Sequence, residues 1–182
     1  MRPKEEKMKG PLSIDLPYPS LVGIEKDIKS AVIIAPAYAS MHGELNAILQ
    51  YLYHYFNFKG LFDGETADVI MGICVSEMHH LKILGELLYK LGTDPIYTKM
   101  PPYGYNYYTS VGVSYSKTPI KMLLDDVSSE ILAVKQYEKM ADDLKNERVA
   151  AIIKRIMLDE ELHIKILKER LIAIGGDNVR DF

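Results

Sequence analysis

The sequence contains a single cysteine, Cys74, and no tryptophan. One cysteine excludes an intrachain disulfide and any Cys-x-x-Cys metal site, and it is the usage expected in a reducing compartment. No apolar run reaches the roughly 18 residues that a membrane-spanning helix needs. There is no Lys/Arg-rich block, and a formal net charge of −3 over 182 residues argues against a nucleic-acid surface. The charged stretch 1–9 leads into Pro11 with no apolar segment behind it, which is not the pattern of a secretory signal. A phosphate-binding glycine loop and a nucleophilic triad are also missing. The expectation is a cytoplasmic protein with neither membrane nor nucleic acid as partner. At this length it should form one main domain with a substantial core.

What the chain does have is Glu-x-x-His, twice. Glu77 and His80 form one pair, Glu160 and His163 the other. On a helix, residues three apart share a face, so each pair offers a carboxylate and an imidazole one turn apart. With thirteen Glu and five His, chance supplies roughly a third of such a match, and a motif alone is only a hypothesis. Two matches, each preceded by a lone Glu on the helix before it (Glu44 and Glu130), form an ordered set.

Periodicity places these residues on helices. Met41, Glu44, Leu45, Ile48, Tyr51, Leu52 and Tyr55 recur at helical spacing, and so do Ile73, Glu77, His80, Leu84 and Leu87. The same holds for Met122, Asp126, Glu130 and Tyr137, and for Ile152, Ile156, Glu160, His163 and Leu167. Four helices are expected, over about 27–58, 65–91, 119–145 and 147–174. Pro36 either kinks the first or sits in the first turn of its main part. Turns are expected at Lys59-Gly60 and Asp63-Gly64 and at Asn146, and Thr118-Pro119 is a good helix start. Residues 1–26, with four prolines, read as an extended N-terminal arm that is either free or packed on the bundle or a partner subunit; residues 27–182 read as the bundle.

At about 1.5 Å rise per residue, Glu44 and Glu77 lie about 22 and 19 Å from the turn that joins their helices, and Glu130 and Glu160 about 22 and 20 Å from theirs. Both hairpins therefore put their candidate ligands at mid-height, as pseudo-repeats of each other. The tyrosine-rich stretch 92–117, broken by Pro95, Pro101, Pro102, Gly104 and Gly112, is long for a compact domain. Its roughly 26 residues can span the 33 Å or so of a bundle, which permits a crossover connection. Each candidate ligand interrupts an apolar stripe, where an unpaired carboxylate is costly. Four carboxylates and two imidazoles suit Fe or Mn, and two divalent ions would balance the four negative charges.

The ordering Glu44, Glu77-x-x-His80, Glu130, Glu160-x-x-His163 resembles the ferritin-like superfamily of di-metal carboxylate proteins, in its rubrerythrin, bacterioferritin and manganese-catalase branch. The resemblance covers about residues 37–174. It implies an all-α, ferritin-like four-helix bundle made of two antiparallel hairpins joined by a long crossover loop. It also implies two metal ions, Fe or Mn: Glu44 and Glu130 as terminal ligands, Glu77 and Glu160 bridging, and His80 and His163 on one metal each. Tyr51 and Tyr137, two turns after the lone glutamates, correspond to tyrosines that hydrogen-bond a ligand carboxylate across the site. In bacterioferritin-like members an Asp precedes each motif Glu and holds the opposite His; here Asp159 would hold His80, while Ser76 would be the weaker partner of His163. Asp126, one turn before Glu130, is a further candidate beside the ligands or in a channel.

The departures matter as much. Ala133 stands where rubrerythrins carry a further Glu. One cysteine cannot build a rubredoxin-like iron domain, so an iron-loaded form would need an external electron donor. The stretch 177–182 is too short for the fifth helix of cage ferritins, so a dimer is expected rather than a 24-subunit cage, and the C-terminal extension usual in manganese catalases is absent. Met78 matches the haem-ligating Met of bacterioferritins but reads as packing, and haem is not expected. His42, His54, His79 and Cys74 read as structural. The implied activity is consumption of hydrogen peroxide by a dinuclear oxidoreductase. The alternatives are a ferroxidase or iron-binding protein without peroxide turnover, and a structural protein that retains a metal site.

Overall fold

The computed structural model describes residues 10–98 and 107–175. The expectations for 1–9, for Pro101, Pro102, Tyr103, Gly104 and Tyr105, and for the stretch after Gly175 fall outside these. Five α-helices are present: α1 (Ile28–Ala39), α2 (Glu44–Leu61), α3 (Gly64–Lys90), α4 (Pro119–Asp143) and α5 (Glu147–Gly175). The fold is an all-α ferritin-like four-helix bundle of α2–α5, with α1 packed on α2, α3 and α4.

The first expected helix is two helices. Pro36 lies inside α1 and has no N–H to continue the ladder. The chain leaves helical geometry at Ser40, whose N–H still reaches the Pro36 carbonyl at 3.2 Å. It re-enters at Gly43, the N-cap of α2. A Cβ on Gly43 would stand 2.5 Å from the Ala37 carbonyl oxygen, so the break closes up only around glycine. Met41, expected on the inner stripe, is instead in this break and exposed. The α2 helix also runs through Lys59-Gly60, and the turn falls at Phe62-Asp63. There Asp63 caps α3 by accepting from the Glu65 and Thr66 N–H groups at 3.2 and 3.0 Å.

The most extensive contacts are α2 with α3 and α4 with α5, the two hairpins. Their relative direction follows from side-chain pairs. Tyr51 meets Glu130, and Tyr137 meets Glu44, so numbering runs oppositely along α2 and α4. The short turn makes α3 antiparallel to α2 as well. Thus α3 and α4 run the same way, and the chain between them must return along the bundle. That connection is tied to α2: Asn46 Nδ2 donates to the Gly112 carbonyl at 3.2 Å, Tyr108 Oη to Asn46 Oδ1 at 2.9 Å, and the Ser114 N–H to Gln50 Oε1 at 2.9 Å.

Two apolar clusters fill the bundle. One gathers Ile34, Leu84, Leu87, Leu91, Ile152 and Ile156; the other Ile48, Phe58, Ile70, Ile73, Met122 and Leu167. On α3 and α5 the motif residues fall between members of the two clusters, so a polar layer crosses the bundle at mid-height with apolar packing above and below.

Candidate metal centre

All six predicted ligands meet in that layer, and all are buried. Glu44, Glu77, His80 and Glu160 offer ligand atoms within 4.8 Å of one another, and so do Glu77, Glu130, Glu160 and His163. The two sets share Glu77 and Glu160. Each set thus has one carboxylate of its own, one imidazole and the two common carboxylates.

The imidazoles face each other across the layer, ring centroids 6.0 Å apart. His80 Nδ1 lies 3.3 Å from Glu77 Oε2, 3.1 Å from Glu160 Oε1 and 3.7 Å from Glu44 Oε2. His163 Nδ1 lies 2.9 Å from Glu77 Oε1, 3.1 Å from Glu160 Oε2 and 3.8 Å from Glu130 Oε1. Glu77 Oε1 and Glu160 Oε1 are nevertheless buried without a hydrogen bond; the nearby Nδ1 atoms are close but out of line. Each Nδ1 hydrogen-bonds the motif Glu of its own helix, yet one oxygen of each common carboxylate is left buried and unpaired, which fits a shared cation better than a closed hydrogen-bond network.

The far ring nitrogens fix the tautomers. His80 Nε2 meets Asp159 Oδ2 at 3.1 Å and His163 Nε2 meets the Leu12 carbonyl at 2.8 Å. A carbonyl only accepts, so His163 carries a proton on Nε2, and the neutral ring turns its Nδ1 lone pair to the cluster. Asp159 imposes the same on His80. The expected His163–Ser76 pairing is replaced: Ser76 Oγ donates to the Leu12 carbonyl at 2.9 Å, the same oxygen that His163 uses. A serine oxygen stands one bond nearer the backbone than an Asp oxygen, and the arm fills the difference with backbone.

Tyr51 and Tyr137 are buried beside the layer. Tyr51 Oη donates to Glu130 Oε1 and Tyr137 Oη to Glu44 Oε1, each reaching across to the terminal carboxylate of the other hairpin. Burial, then the neighbouring carboxylates, push both phenols well above the ordinary tyrosine range, so both remain donors.

The electrostatics call for positive charge. Burial, then the charges of Glu77 and Glu160, raise Glu44 well above the usual carboxylate range; burial, then Glu160 and Glu77, do the same to Glu130. Burial opposes charge on the imidazoles, but Glu160, Asp159 and Glu44 together outweigh it at His80, and Glu77, Glu160 and Glu130 together at His163, so both lie well above ordinary histidine. Burial would also raise Glu77, yet its bond with Glu44 and the His163 imidazole hold it well below. Glu160 is lowered too, with burial and Glu77 outweighed by His80 and His163. Protons or cations can meet this demand, and metal binding competes with protons for the same atoms.

A cavity of about 350 Å³ opens onto the layer between α2 and α4, with Glu44, Glu77, Glu130 and Glu160 at its floor and Ser114, Asp125 and Gln136 in its wall. The broken helix supplies Met41, His42 and Gly43 to its lining, and Ala133 leaves room where a larger side chain would intrude. Asp126 is not in the wall. It is buried behind it, 2.8 Å from both Gln50 Nε2 and His54 Nδ1. Gln50, which links that buried pair to the cavity and to the Ser114 N–H, had no sequence signal. His79 is exposed on the far face of α3, and Cys74 is buried with its thiol pushed up to about 12 by burial and the Glu77 charge.

A sequence model of the family described as Ferritin-like matches residues 38–140. No curated protein matches the chain. Among solved structures it is similar to KatB, a manganese catalase from Anabaena, with a TM-score of 0.73 and 18% identity over 94% of this chain and 82% of that one. A Desulfovibrio desulfuricans bacterioferritin with a diiron site gives a TM-score of 0.69 and 21% identity, covering 83% of this chain and 84% of that one. A dodecameric thioferritin related to bacterioferritin, from Bacteroides fragilis, gives 0.65 and 21%, covering 83% and 89%. Among the described residues no helix is long and apolar enough to cross a membrane.

Proposed function

The chain belongs to the ferritin-like family, and on that premise we propose that it is an oxidoreductase that consumes hydrogen peroxide at a dinuclear Fe or Mn centre. The observation that carries the reading is the pair of overlapping four-residue ligand sets that share Glu77 and Glu160 at the floor of an open cavity. Glu44 and His80 would complete one metal position, Glu130 and His163 the other. When bound, the two ions supply the electrons for redox turnover of an oxygen species, with oxygen-rich donors suited to Fe or Mn.

The chain's own residues do the rest. Tyr51 and Tyr137 hold one oxygen of each terminal carboxylate and leave the other free to ligate. Asp159 and the Leu12 carbonyl keep the Nε2–H proton on each imidazole, so Nδ1 stays available. The cavity admits small polar molecules past Ser114, Asp125 and Gln136. A homo-oligomer is the expected assembly, as for the dodecameric thioferritin.

Apo-protein loaded separately with Mn(II) and Fe(II), then given peroxide, tests the proposal. Oxygen release without a donor, only with manganese, selects a catalase. Peroxide loss that requires an added reductant, only with iron, selects a peroxidase. Glu160→Ala, which removes a carboxylate common to both positions, should abolish either. The likeness to bacterioferritins supports a second reading, iron oxidation and handling. If neither loading consumes peroxide, while Fe(II) and dioxygen yield a ferric mineral, that second reading stands and the first fails.

A further inference from the structure

The two halves of the centre repeat each other in their ligands but not in what stands behind the histidines, and the difference comes from the N-terminal arm. Behind His80 is a carboxylate held on several sides. Asp159 accepts from the Ile14 N–H at 2.8 Å and from Tyr18 Oη, and Arg155 Nη1 stands 2.8 Å from it. Arg155 in turn donates to the Leu16 and Ile14 carbonyls at 2.8 and 2.9 Å, and its guanidinium lies 4.3 Å from the Tyr18 ring centre. Behind His163 is one backbone carbonyl, Leu12, shared with Ser76 Oγ. Leu12 keeps its place through its own N–H, 3.0 Å from the Gly72 carbonyl. It also depends on the bare Cα of Gly72, where a Cβ would stand 2.7 Å from Leu12 Cγ and 2.9 Å from Cδ1.

We propose that residues 12–18 of the arm are part of the metal centre and make its two positions unequal, the His80 position binding tightly and the His163 position loading last and emptying first. The inference rests on the dinuclear reading above. Its physical ground is the acceptor behind each ring. A charge-assisted bond to a carboxylate is roughly twice as strong as one to a neutral carbonyl, and a carboxylate behind a ligating imidazole raises its basicity toward the metal. Asp159, fixed by two arm groups and Arg155, cannot turn away from His80. The Leu12 carbonyl divides its lone pairs between two donors, and only the Gly72 notch and one backbone bond hold it. Asp159, Tyr18 and the Leu12 carbonyl are thus positioning groups that act through the histidines.

The test is titration of apo-protein with Mn(II), followed by calorimetry and by electron paramagnetic resonance. Two steps are expected: the first ion gives the spectrum of an isolated Mn(II), and the second converts it to that of a coupled pair. Asp159→Asn should weaken the first step about ten- to a hundredfold, the usual effect of removing such a partner, and draw the two steps together. Gly72→Ala should weaken the second step by a similar factor and leave the first alone, although it alters no ligand. Adding Leu12→Ala to Gly72→Ala removes the clashing carbons, keeps the backbone carbonyl, and should restore the second step. Two ions bound in one step of equal affinity would overturn the inequality while sustaining the dinuclear reading. No bound manganese would overturn both. A Gly72→Ala effect spread over both steps, or one that Leu12→Ala does not rescue, would remove the arm from the centre.

Discussion

Arg155→Met is the most informative single change away from the ligands. Arg155 is buried on α5, and methionine keeps much of its apolar stem. The substitution removes two hydrogen bonds from a charged donor to the Ile14 and Leu16 carbonyls, the ion pair with Asp159, and the stack on Tyr18. Hydrogen bonds to charged groups contribute about 1.5–3 kcal/mol each. Water can replace the arginine at Leu16, which is largely exposed, so the two bonds do not count in full. Asp159 keeps His80, Tyr18 and the Ile14 N–H, so its charge is not stranded. The expected loss is therefore about 3–5 kcal/mol, from the Ile14 bond in full, the Leu16 bond in part and the contact with Asp159. In a domain of this size each kcal/mol moves Tm by about 2–4 °C, so the metal-loaded variant should melt about 6–20 °C below the parent. Calorimetry gives the shift, and amide exchange at Ile14 reports whether the arm has lifted. A variant that melts within about 2 °C of the parent, with the Ile14 amide still protected, would refute the role given to Arg155.

The remaining expectations concern protons and a buried phenol. In metal-free protein, Glu44 and Glu130 lie above the ordinary carboxylate range, so the fold resists their ionisation and loses stability as pH rises past that range. The raised histidines act in the same direction, since their contribution is present below the ordinary 6.5 and lost as pH rises through their folded values. The depressed Glu77 and Glu160 give up their contribution only in acid, outside this window. The melting temperature of apo-protein should therefore fall as pH rises above the ordinary histidine value of 6.5, while that of the metal-loaded protein stays nearly level; parallel curves would contradict the shared buried site. Tyr137→Phe leaves Glu44 Oε1 without its donor and should lower stability by about 1–3 kcal/mol in chemical denaturation. An unchanged midpoint would mean that another group takes over the bond.

The ligand layer was legible because it is a matter of spacing. Carboxylate and imidazole three apart on a helix, and equal distances from two turns, survive any detail of packing. The tyrosines were legible for the same reason, two turns from a known face. Three features were not. The break at Ser40–Gly43 depends on how closely Gly43 approaches the Ala37 carbonyl, a contact that periodicity cannot report, so Met41 was placed on a stripe it does not join. Gln50 lies on the face of α2 turned to the connecting loop, and only that loop shows why a buried amide is needed. The partner of His163 is a backbone oxygen, and every residue has one, so no residue type could have marked Leu12. Ser76 was the visible clue: a hydroxyl where the other half has a carboxylate.

Neither hairpin holds a complete ligand set, since each set borrows a carboxylate from the other hairpin, and the arm's partners Asp159 and His163 stand 145 and 151 residues further along the chain. During synthesis the arm is made before either hairpin, and its bonds to α5 can form only after both. The first hairpin emerges with Glu44, Glu77 and His80 in place but with no second wall to shelter them. Only when α5 has been made and docked do both sets exist, and for as long as the arm is undocked His163 lacks its Leu12 partner while His80 keeps Asp159. The arm's bonds to Asp159 and His163 thus close over a layer that both hairpins must first assemble.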